Sequence, residues 1–146
     1  MEFVEALDVK DLPPNSHKVV SVNGREVLLF NEDGEVSAIG NICLHKGGPL
    51  NEGRIARKYE GRYYVTCPWH GWEYNIETGA APPGFSDQQA LYETLIKDGK
   101  IFVSSKPRVH PIKAEHKDNP LQDLAELRYE TSRTSLNILG NILGNL

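Results

Sequence analysis

From residue 17 to residue 30 the chain reads HKVVSVNGREVLLF, two runs of apolar and β-branched residues separated by Asn23-Gly24. That pair accepts the two positive backbone φ angles of a two-residue hairpin turn, so the pattern predicts two adjacent antiparallel strands. The device recurs at Asp33-Gly34 in LLFNEDGEVSAI, at Glu60-Gly61 in RKYEGRYYVTC and at Asp98-Gly99 in YETLIKDGKIFVSS. Short strands with turn signals at this spacing predict an all-β fold, an antiparallel sandwich or barrel. The stretch TGAAPPGF at 78–85 is too rich in Gly and Pro for strand or helix and is expected to be a loop.

After Ser105 the pattern changes. KPRVHPIKAEHKDNP is polar and punctuated by proline, which predicts a linker or a strap lying across the β domain. Leu121, Leu124 and Leu127 then follow at helical spacing behind an Asn119 cap and Pro120 at the first helical position. The closing NILGNILGNL repeats a four-residue unit whose glycines lower helix stability. The tail is expected either to gain its missing burial from a partner or a second copy of the chain, as a homo-oligomer contact, or to stay frayed. The division is therefore a β domain over 1–106 and a linker with a C-terminal extension over 107–146, helical or disordered.

With 146 residues the chain can bury a core without disulfide staples, so its two cysteines are not needed for stability. No apolar run approaches the ~20 residues of a membrane span, and the acidic start MEFVEALDVKDLPP lacks the pattern of a secretory signal. A cytoplasmic protein is expected. The net charge of -4 argues against a nucleic-acid partner, since phosphate contacts need a basic face. Against that acidic background, Lys46, Arg54, Arg57, Lys58 and Arg62 cluster between residues 43 and 64, on what reads as an extended hairpin.

Both cysteines sit beside histidines, in CLHKGGPL at 43–50 and CPWHGWEY at 67–74. Two Cys and two His form a common zinc set, but structural zinc loops usually pair like with like, whereas here each loop offers one of each. Such a pattern suits a cluster of two unlike irons, one held by thiolates and the other by imidazoles. Gly47, Gly48 and Gly71 allow the backbone close to such a group, Pro49 and Pro68 stiffen the loops, and Trp69, Trp72 and Tyr74 are placed to cover it.

CLHKGGPL and CPWHGWEYNIETG resemble the two ligand boxes of the Rieske 2Fe-2S family, and the resemblance runs from about Val4 to Val103, including the closing hairpin LIKDGKIFV. It implies that Cys43 and Cys67 hold one iron and His45 and His70 the other, in a small cluster-binding subdomain on a β domain, with the histidine edges reaching the surface. High-potential members carry an additional cysteine in each box, joined as a disulfide, at places that look to be Gly48 and Trp69 here, and a serine where this chain has Trp72. Fewer donors to sulfur lower the potential, and Tyr74 keeps a hydroxyl that restores part of the loss.

The resemblance is thus to ferredoxins and oxygenase-type Rieske domains. It implies a non-catalytic one-electron carrier between a reductase and a terminal oxygenase or reductase, with redox proteins as partners. The alternatives are the small subunit of a nitrite-reductase-like complex and a redox-sensing interaction module. A second, mononuclear iron on His110 and His116 with Asp118 or Asp123 is set aside, because that short segment leaves no room for a substrate domain. The basic hairpin is expected to lie near the cluster and to meet an acidic partner.

Overall fold

The computed structural model of the protein describes residues 2–45 and 47–114. Its strands in chain order are β1 Phe3–Asp8, β2 His17–Val22, β3 Arg25–Glu32, β4 Glu35–Gly40, β5 Arg54–Arg57, β6 Tyr63–Thr66, β7 Glu73–Asn75, β8 Leu91–Tyr92, β9 Thr94–Lys97 and β10 Lys100–Ser104. They form three antiparallel sheets, ordered β1-β10-β9, β2-β3-β4-β8 and β5-β6-β7. Helix among the described residues is confined to short 3-10 turns at Val9–Asp11, Leu50–Glu52 and Tyr59–Gly61. No helix there is long and apolar enough to cross a membrane. The Leu121, Leu124, Leu127 stripe, the NILGNILGNL repeat, the oligomer contact expected of them, and Lys46, His116, Asp118 and Asp123 all lie outside the described residues.

Each of the four predicted turns closes a hairpin at its predicted place. Asn23 and Gly24 take φ of 51° and 78°, the paired left-handed geometry that matches strand twist, and Asp98 and Gly99 take 52° and 72°. The run VLLF of β3 is apolar without alternation because the strand is buried on both faces. Val27 and Leu29 face one core with Val22, Ala38, Ile101 and Val103, which joins the four-stranded sheet to the β1-β10-β9 sheet as a sandwich. Leu28 and Phe30, one residue out of phase, face a second core with Ile39, Val65, Trp72, Tyr74 and Ile76.

That second core attaches the β5-β6-β7 sheet, the small subdomain implied by the resemblance. β5 pairs with β6 in the register Arg54 to Thr66 and Arg57 to Tyr63, and β6 pairs with β7 in the register Thr66 to Glu73. The 58–62 turn therefore closes one end of this sheet, and the Cys67–Trp72 loop closes the other. At a rise of about 3.3 Å per residue the two ends stand roughly 13 Å apart along β6.

Beyond β10 the chain turns back as a strap. Gln88 and Ile112 exchange backbone hydrogen bonds of 2.9 and 2.8 Å, and Val109 N donates to Leu91 O at 3.1 Å. Residues 108–112 thus run antiparallel to 88–91, which brings the start of the extension beside the ligand loops.

Candidate functional site

The two Cys/His loops share one backbone design. In the first, Gly47 N donates to Cys43 O at 3.0 Å and Cys43 N donates to Gly48 O at 2.9 Å; in the second, Gly71 N donates to Cys67 O at 3.0 Å and Cys67 N to Trp72 O at 2.7 Å. The fifth residue of each has left-handed backbone, Gly47 at φ 75° and Gly71 at φ 76°, which is why glycine stands there. Each loop is thereby a closed turn with its cysteine at the base.

The bases face each other. Cys43 and Cys67 are 2% and 1% exposed, both free thiols, and the ring of His70 is wedged beside them with Nε2 3.3 Å from Cys43 Sγ and 3.7 Å from Cys67 Sγ. These three residues offer donor atoms within 4.8 Å of one another. Hydrogen bonding from Cys67, together with His70 and Tyr74, draws the Cys43 thiol down to about 4 against the opposing effect of burial. The same bond with Cys43, and burial, push Cys67 up. Tyr74, also pushed up by burial, keeps its proton and directs its hydroxyl at Cys43 Sγ from 3.6 Å.

His45, the fourth expected ligand, is close by but is not among the residues whose donor atoms converge. Its ring stacks on Trp72 at 4.3 Å between centroids, stands edge-on to His70 at 6.2 Å, and its Nε2 bonds Asp87 Oδ1 at 3.0 Å. Burial lowers the imidazole pKa, and Asp87 opposes that. The expectation of surface-reaching histidine edges meets a different arrangement: His70 is 3% exposed and the His45 side chain 5%. What the loops present to solvent instead is Ile42 at 45%, Trp69 at 38%, and the exposed backbone of Gly47, Pro68 and Gly71.

The residues present fit a metal–sulfur group on several counts. Two sulfur and two imidazole donors suit iron or zinc. Nδ1 of His70 is buried with no hydrogen-bond partner among the described residues, which an unliganded core histidine would rarely tolerate. Gly48 lets the first loop close onto the second, since a Cβ there would fall 2.7 Å from Cys67 Sγ. His17 and His110 are exposed and take no part in the site, His17 bonding Asn51 O at 3.2 Å.

The described basic residues are divided between the two ends of the β5-β6-β7 sheet. The backbones of Arg57, Lys58 and Arg62 occupy the far end of the β5-β6 hairpin, where Arg57 caps Gly61 O at 2.8 Å and lies 4.4 Å over the Tyr63 ring and Arg62 stands 3.8 Å from Glu77, but the Lys58 side chain reaches back to pair with Glu73 and to bond Thr66 Oγ1 at 3.4 Å. Arg54 is at the ligand end by its backbone, opposite Thr66. The Glu60-Gly61 signal marks the hairpin, and the register shows that its backbone tip points away from Cys67.

Three supporting residues carry no motif. Gln89 Nε2 donates to Gly40 O at 2.6 Å and Ile42 O at 2.8 Å, fixing the approach to the first loop. Asn41 accepts from Asn51 N at 2.8 Å, fixing its exit. Asp87 accepts from Ala114 N at 3.0 Å as well as meeting His45. Asp87 and Gln89 join the ligand loop from more than forty residues away, so local spacing held no signal of them.

A family model for the Rieske [2Fe-2S] domain matches residues 2–90. Human apoptosis-inducing factor 3 is 38% identical over 97 residues, 65% of this chain but 15% of that protein, so the chain spans only a small part of that relative's length. The ferredoxin component of the naphthalene 1,2-dioxygenase/salicylate 5-hydroxylase systems of a Ralstonia species is 32% identical over 100 residues, covering 68% of this chain and 83% of that one. Among solved structures, the ferredoxin of carbazole 1,9a-dioxygenase from Nocardioides aromaticivorans superposes with a TM-score of 0.61 over 71% of this chain and 98% of its own, at 24% identity, a likeness of fold.

Proposed function

The chain belongs to the Rieske [2Fe-2S] domain family, and from that premise we propose that Cys43 and Cys67 hold one iron of its 2Fe-2S cluster, that His45 and His70 hold the other, and that the protein carries single electrons from a reductase to a terminal oxygenase or reductase. The observation that carries this reading is the convergence of Cys43, Cys67 and His70, from two loops of like backbone, on one buried point. When bound, the cluster takes up and returns one electron.

The chain's own residues supply the rest. Cys43 and Cys67, at the bases of closed turns, reach the group with little side-chain freedom left to lose. Tyr74 offers a hydroxyl to Cys43 sulfur, a donor that favours the more negative, reduced state. Trp72, fully buried between His45 and Phe85, keeps water from the inner side. Trp69, partly exposed and laid over Gly48, gives the site its outward apolar face, on which a redox partner would dock. Weak electron-transfer encounters need only such small interfaces.

A ferredoxin role is supported by the Ralstonia relative, most of whose length this chain covers. A cytoplasmic location belongs to the same reading, because the reducing cytoplasm keeps thiols such as Cys43 and Cys67 available for iron. The test is anaerobic reconstitution of the full chain with ferrous iron and sulfide, chemical reduction, and mixing with cytochrome c as a one-electron acceptor. One electron delivered per chain supports the carrier reading; a loaded, reduced protein that delivers none contradicts it.

A further inference from the structure

Asp87 belongs to neither ligand box, yet its carboxylate, with a side chain 0% exposed, meets His45 Nε2 at 3.0 Å, and that histidine side chain is 5% exposed. A carboxylate so far from water is costly unless its partners are well placed. Here they come from two directions. His45 approaches from the first loop, and Ala114 N donates from the strap at 3.0 Å to the same Oδ1. The strap is in turn fixed on residues 88–91 by the Gln88 to Ile112 and Leu91 to Val109 pairings. Asp87 also accepts through its main chain from Ala81 N at 3.0 Å. One residue therefore ties together the first ligand loop, the Gly/Pro loop before β8 and the start of the C-terminal extension.

We propose that Asp87 is the positioning residue for His45, holding the ring proton on Nε2 so that Nδ1 presents its lone pair to iron, and that the 108–114 strap holds Asp87 in register. The inference rests on the reading of His45 as a ligand. In a neutral imidazole one nitrogen carries the proton and the other the lone pair, and the partner of the protonated nitrogen decides which. Metal-binding histidines commonly give that proton to a carboxylate, which also makes the ring a stronger donor. A stronger donor on one iron favours the oxidised state. His70 has no such partner: its Nε2 faces the two sulfurs and its Nδ1 has no hydrogen-bond partner among the described residues. The two imidazoles of this site are therefore unequal, and Asp87 is the cause.

A merely architectural role, in which Asp87 only staples the strap, predicts a loss of stability and nothing else. The experiment separates the two on full-length protein reconstituted with iron and sulfide. Asp87→Asn keeps the size and an acceptor for Ala114 N but removes the charge on His45. Its reduction equilibrium should shift about tenfold toward the reduced state, about 59 mV for one electron. Pulsed electron paramagnetic resonance of the reduced cluster should show one of two histidine nitrogen couplings changed and the other preserved. If Asp87→Asn does not retain iron, Ala114→Pro carries the test, since it leaves the carboxylate and removes its strap donor; a smaller shift in the same direction is expected. A loaded variant whose potential and both couplings match the wild type overturns the inference while leaving the ligand reading intact. A wild type that takes up no iron overturns both.

Discussion

Trp69 lies directly over the α-carbon of Gly48: a Cβ at residue 48 would stand 3.0 Å from Trp69 Cγ and 2.7 Å from Cys67 Sγ. These are the two positions at which the resemblance places the additional cysteines of high-potential relatives. Here the same contact is filled by an aromatic face on bare backbone. Gly48→Ala should therefore displace either the indole or the thiol, destabilising the folded protein by about 1–3 kcal/mol, the usual cost of overpacking. Thermal unfolding of the reconstituted protein, with iron content measured alongside, checks this. An alanine variant as stable and as fully loaded as the wild type would show that the loop gives way freely.

The hydroxyl of Tyr74, 3.6 Å from Cys43 Sγ, is the side-chain O–H donor to sulfur found among the described residues. Burial holds it protonated, so it donates. The bond strengthens as the sulfur gains electron density on reduction, and Tyr74→Phe should lower the reduction potential by roughly 40 mV, about 1 kcal/mol for one electron. Voltammetry of the two proteins measures the difference; an unchanged or raised potential would mean that the hydroxyl serves only the fold.

Charge reversal discriminates between the two ends of the β5-β6-β7 sheet. Arg57 lies at the tip remote from Cys67 and is engaged locally with Gly61 O and Tyr63, whereas the Lys58 ammonium reaches back along the sheet to Glu73 and Thr66. An Arg57→Glu variant should transfer electrons to an acidic acceptor protein at the wild-type rate at all ionic strengths, losing about 1 kcal/mol of stability or less. Arg54→Glu, at the ligand end, should slow the encounter roughly twofold to tenfold at low salt and converge with the wild type as screening increases. Stopped-flow rates against ionic strength give the answer. A rate collapse in the Arg57→Glu variant would place the docking surface at the hairpin tip.

The all-β architecture was legible because its turns are local. Asn23-Gly24, Asp33-Gly34 and Asp98-Gly99 each carry the backbone requirement of a two-residue turn in the residues themselves, and Glu60-Gly61 supplies the same pair of positive φ angles within the longer 58–62 turn. The convergence of Cys43, Cys67 and His70 was legible for a different reason: the two loops share one pattern, and the chain contains no other cysteines. What spacing could not convey was direction and distance. The orientation of the basic hairpin depends on the pairing of Arg54 with Thr66, and the burial of the histidines depends on Asp87 and on a strap twenty residues further on, both of which are products of tertiary packing. The alternation hidden in VLLF, with Leu28 and Phe30 in one core and Val27 and Leu29 in another, likewise shows only once both neighbouring layers are in place.

The central claim is that two thiolates and two imidazoles, from Cys43, Cys67, His45 and His70, hold two chemically unlike irons. Mössbauer spectroscopy of the oxidised full-length protein, loaded with enriched iron, reads this most directly. The account predicts two quadrupole doublets of equal area, one with the parameters of sulfur-only coordination and the other with those of mixed nitrogen and sulfur coordination, and loss of the second on substituting His70→Ala. A single symmetric iron environment, or a protein that binds zinc in preference and takes up no iron with sulfide, would contradict it.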